Sequence, residues 1–221
     1  MHALIMAGGS GSRLNLGEKP LILIGGKPMI SYIIDAFLSA GFEPVVAVSP
    51  VTPMTMNWCR AHTIAVSKTD GTGYVNDMIS AVRMMDEQLP LFICVSDIPG
   101  ITPEIIQAIA EAYRSSGKDG CSAWVPTGLA NGCRGGMPYG EQVNGIEACP
   151  AGINILRGDL IDRPQDELQV LLNEPGLALN VNTRADRARA EDFLRYRSRE
   201  KNSRESIENS QTSQSAPQHS K

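Results

Sequence analysis

Histidine is nearly absent from this chain: His2, His62 and His219 are the only three in 221 residues. That count excludes a histidine-rich metal centre. The five cysteines, Cys59, Cys94, Cys121, Cys133 and Cys149, are scattered and odd in number, and none forms a Cys-x-x-Cys pair. A disulfide framework or a zinc site is therefore not expected, and the pattern fits a reducing cytoplasm. Charge is not in excess either. The formal net charge is −4, so there is no general electrostatic pull toward nucleic acid or an anionic membrane, and any phosphate binding must be local. A basic stripe interleaved with aromatics is missing, which speaks against a nucleic-acid partner. No apolar run approaches membrane-spanning length, so no stable membrane insertion is expected. Nor does a basic segment precede a long apolar run at the N-terminus, so no signal peptide is expected. There is no internal repeat.

What the chain does have is alternation. "ALIMA" (3–7), "PVVAVS" (44–49), "TIAVS" (63–67), "LFICVS" (91–96), "CSAWVP" (121–126), "GINIL" (152–156) and "LALNVNT" (177–183) read as buried strands. "PLILIGGKPM" reads as a short strand with a tight turn at Gly25-Gly26. Between these lie helical patterns. One runs from about Pro28 to Ala40, with Ile30, Ile33, Ile34, Phe37 and Leu38 at helical spacing. Others start after Thr52, run from about Tyr74 to Gln88, follow the Thr102 cap with Pro103 at its first position, and run from about Pro164 to Leu172. Thr183 can cap a last helix, with Asp186 three residues on. Strands alternating with helices predict an α/β fold, a Rossmann-like three-layer αβα arrangement around a mostly parallel sheet. The domain is expected over 1–197. The polar segment 198–221 reads as a disordered tail that cannot bury enough surface to fold alone.

In such sheets the ligand lies beyond the carboxyl ends of the strands. Gly8–Arg13, Ser49–Thr52, Lys68–Gly73 and Asp97 all follow predicted strands and should meet at one edge. The opening loop, "AGGSGSRLNLGEKPL", is the most informative. Its glycines let backbone N–H groups approach an anion, and Arg13 and Lys19 add positive charge. No Gly-Lys-Ser/Thr follows the glycines, so this is not a P-loop. The basic residues point to a polyphosphate rather than a dinucleotide. Taken alone, "GGSGSR" is equally a plain glycine-rich turn; "EKPL" after it tips the balance to function.

"LIMAGGSGSRLNLGEKPLI" resembles the signature of the nucleotidyltransferases, which join a nucleoside triphosphate to a phosphate acceptor. "SPVTPMT", "TDGTGYVND", "VSDIPGITPEII", "CPAGINIL" and "LNVNTRAD" are similar, in order, to the archaeal-type adenosylcobinamide-phosphate guanylyltransferases over residues 1 to about 190. The stretch 127–148 matches least and the tail not at all. The resemblance implies transfer of GMP from GTP to adenosylcobinamide phosphate, with pyrophosphate released, by a monomer or homodimer. It gives Ala7, Gly8, Gly9, Gly11, Arg13 and Lys19 the triphosphate, and Asp97 an Mg²⁺ ion. It places Gly152 and Asn154 near the nucleotide or the acceptor.

Other readings of these residues stay open. Asp97 in "SDIPG" also suits a turn or a helix cap, and Gly152 a tight strand entry. Many relatives add a second acidic metal ligand near the last strand. Here Asn180 and Asn182 stand there, to bind substrate phosphate or ribose or simply to close a turn. Asp70 could accept hydrogen bonds from guanine N1–H and its exocyclic amine, a donor pair adenine lacks, as a similarly placed Asp does in the neighbouring molybdenum-cofactor guanylyltransferases. It also suits an ordinary Asp-Gly turn. Two rival functions follow: guanylyl transfer to the molybdenum cofactor, and non-catalytic GTP binding by a regulatory protein.

Overall fold

The computed structural model describes residues 1–9, 17–129 and 140–214, with side chains through Glu200 and at Ser203. Ten strands run β1 (His2–Met6), β2 (Leu23–Ile24), β3 (Lys27–Pro28), β4 (Glu43–Val48), β5 (Ala65–Lys68), β6 (Pro90–Val95), β7 (Gly120–Pro126), β8 (Glu141–Val143), β9 (Ile146–Arg157) and β10 (Glu167–Leu171). The helices are α1 (Met29–Ser39), α2 (Pro53–Ala61), α3 (Tyr74–Met84), α4 (Pro103–Ser116) and α5 (Arg184–Gln214). The main sheet has the order β10-β7-β9-β6-β1-β4-β5, with β8 paired to β9. All its pairings are parallel except those made by β9, which runs antiparallel to β6, β7 and β8.

Alternation along each strand separates two cores, because successive side chains point to opposite faces. Ala3, Ile5, Val46, Val48, Phe92 and Cys94 face α1, α2 and α4. Leu4, Ala47, Leu91 and Ile93 face α3 through Met78, Ala81 and Val82. These are the three layers the alternation predicts. On the first face Phe92 receives Phe37 and Phe42 edge-on, with ring centroids 5.3 and 5.0 Å away. Ile30, Ile33, Ile34 and Phe37 bury the inner stripe of α1; Leu38, one step further round, faces solvent. Gly25 and Gly26, at φ +58° and +86°, close the β2–β3 hairpin with the two positive dihedrals a tight two-residue turn demands. Thr102 caps α4, its hydroxyl accepting from Ile105 N–H at 3.3 Å.

Two expectations need correction. The stretch from Pro164 to Leu172 is not a helix. Leu168, Val170 and Leu172 alternate at period two and pack on the core from the sheet's edge strand β10, which pairs with β7. Residues 177–183 are not a strand. Pro175–Ala178 form a 3-10 turn and the segment then crosses the strand ends with one backbone bond to the loop after β6, Val181 N–H to Asp97 O at 2.9 Å. α5 runs to Gln214, and Leu194 is the last residue of its buried stripe.

The crossing segment is fastened at both ends. Gly100 and Gly176 meet backbone to backbone, so that a Cβ on Gly100 would stand 2.7 Å from Gly176 Cα. At the other end Thr183 and Asp186 form a reciprocal cap on α5. Asp186 N–H donates to Thr183 Oγ1 at 3.1 Å, while Asp186 Oδ2 accepts from Thr183 N–H at 2.8 Å and Asn182 N–H at 3.0 Å. Val181 lies between, in a small core with Ile22, Ile24, Met29, Ala190 and Leu194 that joins α5 to the hairpin.

Gly176→Ala should force these backbones apart and destabilise the fold by about 1–3 kcal/mol, read by urea unfolding. Burial acts to raise the Asp186 pKa, but the hydrogen bonds from Thr183, Asn182 and Arg189 outweigh it and lower it. Its stabilising contribution is therefore present above the unfolded value near 3.9 and is lost as pH falls through the lower folded value. Asp186→Asn should cost about 1 kcal/mol at pH 7, and the gap to the parent should close below about pH 4.

Candidate active site

The chain leaves β1 for β4 and β5 on one side, then returns to β6 on the other, so the strand order reverses between β1 and β6. A crevice opens beyond the carboxyl ends of strands at such a point. The residues following β1, β4, β5 and β6 meet there, as the alternation predicts.

Ala7 ends β1 as a buried wall. Its N–H already donates to Ala47 O at 2.9 Å and is not available to a ligand. Gly8 is pressed on the loop after β4: a Cβ there would lie 3.2 Å from Ser49 Cβ, and Ser49 Oγ donates to Gly8 O at 2.7 Å. Gly9 has open space on its side-chain side. Gly11 and Arg13 lie outside the described residues.

Ser49 also supports the loop after β5. A Cβ on Gly71, at φ +75°, would sit 3.4 Å from Ser49 Cβ. This loop is held from below by Asp77, a buried residue in the first turn of α3, whose Oδ1 accepts from Gly71 N–H at 3.0 Å and Thr72 N–H at 3.1 Å. Asp70 is left exposed on top. Asp77 was not singled out from the sequence; the "D-G-x-x-x-x-x-D" spacing was the available signal for it.

The strongest polar cluster joins three distant parts of the chain. Lys19, at the start of a 3-10 turn (Lys19–Leu21), places its ammonium against Asp97 Oδ2 and donates to Asn182 Oδ1 at 2.7 Å. Asn180 Nδ2 donates to Asp97 Oδ1 at 3.0 Å, and Asn182 Nδ2 donates to Asn180 Oδ1. The four side chains form a closed ring. The Lys19 and Asp97 side chains are each 15% exposed, deep enough for their attraction to count and open enough for a ligand to reach them.

Tyr74, the first residue of α3, borders this ring. Burial, then the Cys94 thiol and the Asp97 carboxylate, push its pKa up to about 12, so it stands as a neutral phenol that can donate a proton to a hydrogen bond. The residue as a whole is 46% exposed.

Gly152 and Asn154 lie in mid-strand of β9. Gly152 sits at φ +76° in a bulge between the pairs Ser122–Asn154 and Trp124–Pro150, and a Cβ there would lie 2.6 Å from Val95 Cγ2. The backbone itself thus demands a glycine. Asn154 pairs in register with Ile93 and Ser122 and is half-buried.

Among the described residues no group of three or more His, Cys, Asp or Glu could hold a metal ion. The ring's own donors are one carboxylate, Asp97, and the amide oxygens of Asn180 and Asn182. An all-oxygen set with a single negative charge suits a hard divalent cation that keeps several waters and takes its other ligands from phosphate. It does not suit zinc, which prefers nitrogen and sulfur. Among the described residues no helix is long and apolar enough to cross a membrane.

Known proteins are similar to this chain. The MobA-like NTP transferase domain matches residues 3–193. The adenosylcobinamide-phosphate guanylyltransferase of Methanocaldococcus jannaschii is 28% identical over 207 residues, spanning 88% of this chain and 98% of that protein. A probable molybdenum cofactor guanylyltransferase of Thermococcus sibiricus is 29% identical over 117 residues, 52% of this chain and 57% of its own length. The solved structure of a CMP:2-keto-3-deoxy-manno-octonic acid synthetase complexed with CTP superposes with a TM-score of 0.66 at 16% identity, over 89% of this chain and 99% of the other. At that identity the likeness is one of fold. The family match runs from β1 into α5 and takes in every part of the crevice; the chain belongs to the MobA-like NTP transferase domain family and is a nucleotidyltransferase.

Proposed function

We propose that this enzyme transfers GMP from GTP to adenosylcobinamide phosphate, giving adenosylcobinamide-GDP and pyrophosphate in the assembly of the cobalamin nucleotide loop. The observation that carries the chemistry is the Lys19–Asp97–Asn180–Asn182 ring at the crevice beside Gly8 and Gly9. The choice of substrates is supported by the similarity to the Methanocaldococcus jannaschii guanylyltransferase over 88% of the chain.

An oxygen of the acceptor phosphate attacks the α-phosphorus of GTP in line. The new P–O bond forms as the bond from the α-phosphorus to the bridging oxygen breaks, and the electron pair leaves with pyrophosphate. Positioning and charge neutralisation supply the catalysis, and no covalent enzyme intermediate is required. The open backbone at Gly9 lies toward the triphosphate. Lys19 exchanges part of its contact with Asp97 for the phosphates and balances the charge that grows on the leaving group; Arg13 adds a second cation. Asp97 would hold Mg²⁺, and Asn180 and Asn182 would bind substrate phosphate or ribose. When bound, that ion neutralises phosphate charge that the side chains alone would leave. Asp70, standing free on the Asp77-braced loop, accepts from guanine N1–H and the exocyclic amine. Gly152 and Asn154 line the nucleotide or acceptor side along β9. Cys59, Cys94 and Cys121 are free, buried thiols, which supports work in a reducing cytoplasm.

Pyrophosphate release from GTP should require adenosylcobinamide phosphate and should not respond to molybdopterin. Lys19→Ala and Asp97→Ala should each lower kcat by about 100- to 1,000-fold. Rates equal to the parent in both variants would sink the site assignment. GTP binding without release, with either acceptor, would support a non-catalytic regulatory protein instead.

For the base, Asp70→Ala should raise the KM for GTP about tenfold or more, as a charged hydrogen-bond pair is lost, and should narrow the preference over ATP. Preserved GTP affinity and preference would remove Asp70 as the guanine reader.

A further inference from the structure

Glu18 has no place in the chemistry above, yet its carboxylate accepts from three donors across the fold. Its Oε1 accepts from Met54 N–H at 2.7 Å, and its Oε2 accepts from Thr55 N–H and Thr55 Oγ1, each at 2.6 Å. These donors are first-turn groups of α2, which follow Pro53 at its first position; Thr55 is buried. A helix leaves its first N–H groups without intrahelical partners, and a side-chain oxygen just before the helix normally takes one of them. Thr52 occupies that place here but does not cap. Its hydroxyl instead accepts from Ser49 N–H at 3.0 Å. The cap is supplied across the fold by Glu18, with a full negative charge at the positive end of the helix.

We infer that Glu18 is a positioning residue that fixes Lys19 in the crevice. The inference rests on the reading of Lys19 as the group that neutralises phosphate charge. Glu18 precedes Lys19 directly, and its own carbonyl opens the 3-10 turn by accepting from Leu21 N–H at 3.0 Å, with Pro20 restricting the backbone between them. With its side chain clamped to α2 and its carbonyl committed to the turn, Glu18 leaves the Lys19 Cα little freedom, and the long lysine side chain starts from a fixed origin.

The clamp has two electrostatic consequences. The carboxylate is saturated by three donors, so it does not neutralise the neighbouring ammonium, whose charge stays directed at Asp97 and Asn182. The first turn of α2 is likewise occupied, which turns incoming phosphate away from that helix end and toward Lys19. The anchor point is itself part of the crevice wall, because α2 starts from the Ser49–Thr52 turn that packs on Gly8 and Gly71.

A double-mutant cycle tests this, with pyrophosphate release from GTP and adenosylcobinamide phosphate as the activity and Glu18→Ala and Lys19→Met as the two changes. In the parent, Glu18→Ala should lower kcat/KM about 10- to 100-fold, the scale of a small misplacement of a charged group. With Lys19→Met already present, the same change should lower it less than about twofold. Hydrogen exchange at the Met54 and Thr55 amides should accelerate in Glu18→Ala whatever residue stands at 19. An equal loss in both backgrounds, with Lys19→Met itself impaired, overturns the positioning role and leaves Glu18 a structural cap. If Lys19→Met matches the parent, the reading of Lys19 fails and the inference fails with it. Should Glu18→Ala not fold, Glu18→Gln, which keeps the shape but surrenders the charge, takes its place in the same cycle and should show the same non-additivity at smaller amplitude.

Discussion

A single ion pair, Lys19 with Asp97, ties together the parts of the chain that make this crevice. Lysine comes from the loop after β1, aspartate from the end of β6, and the amides that complete the ring from the segment before α5. In water such a pair would contribute little. Half-sheltered at the strand ends it matters more, and each charge depends on the other: removing one partner would leave a poorly solvated charge behind. Much of the surrounding structure keeps the pair assembled. The Gly100–Gly176 contact and the Val181 N–H bond to Asp97 O hold the asparagine segment over β6. The Thr183–Asp186 cap fixes Asn182 from the other side, since Asp186 Oδ2 accepts from its N–H.

The sheet supplies the platform. Its two cores, Phe92 with Phe37 and Phe42 on one face and Leu91 and Ile93 with α3 on the other, immobilise β1 and β6 side by side. Loops at their carboxyl ends can then be irregular without being loose. Nearly every buried polar side chain in this region is satisfied. Ser49 serves Gly8, Asp77 serves the loop after β5, and among the described residues only Ser67 Oγ is buried without a partner. A preorganised crevice of this kind suits phosphoryl transfer, where most of the catalysis is the placement of charge.

How far the sequence foretold this depends on whether a signal is local. Strands β1, β4 and β6 were legible because both of their faces are buried and their apolar runs are continuous. The caps at Thr102 and Thr183 were legible because a cap is written within four residues. Segment 166–172, "DELQVLL", was misread as helix: beside a proline its composition looks helical, and only pairing with β7 makes its period-two pattern decisive. Segment 177–183 was misread as a strand because Leu177, Leu179 and Val181 alternate. It crosses the strand ends instead of pairing along one, and Asn180 and Asn182 are engaged by Asp97 and Lys19. Of the ring's members the strand pattern placed only Asp97 at this edge; Lys19 came with the resemblance, and Asn180 and Asn182 stood in the segment misread as a strand. That they close into one ring could not be read, since Lys19 and Asn182 stand 163 residues apart. Glu18 and Asp77 went unnoticed for the same reason: their partners are backbone amides, which have no letter in a sequence.

The asparagines show why a neutral residue can serve where a second carboxylate would be expected. Each member of the ring is used in a way its chemistry permits. Asn180 donates to Asp97 through its amide nitrogen and accepts from Asn182 through its oxygen; Asn182 donates to Asn180 and accepts from Lys19. A carboxylate at 180 could not donate to Asp97. It would set two negative groups in contact and raise the affinity of one of them for a proton. With asparagine the ring of one cation and one anion is neutral, and its geometry holds without any added ion. A triphosphate meeting it encounters no excess negative charge, and Lys19 has only one ionic partner to exchange for phosphate. The balance of the crevice is thus set by two amides whose contribution is to carry hydrogen bonds without carrying charge.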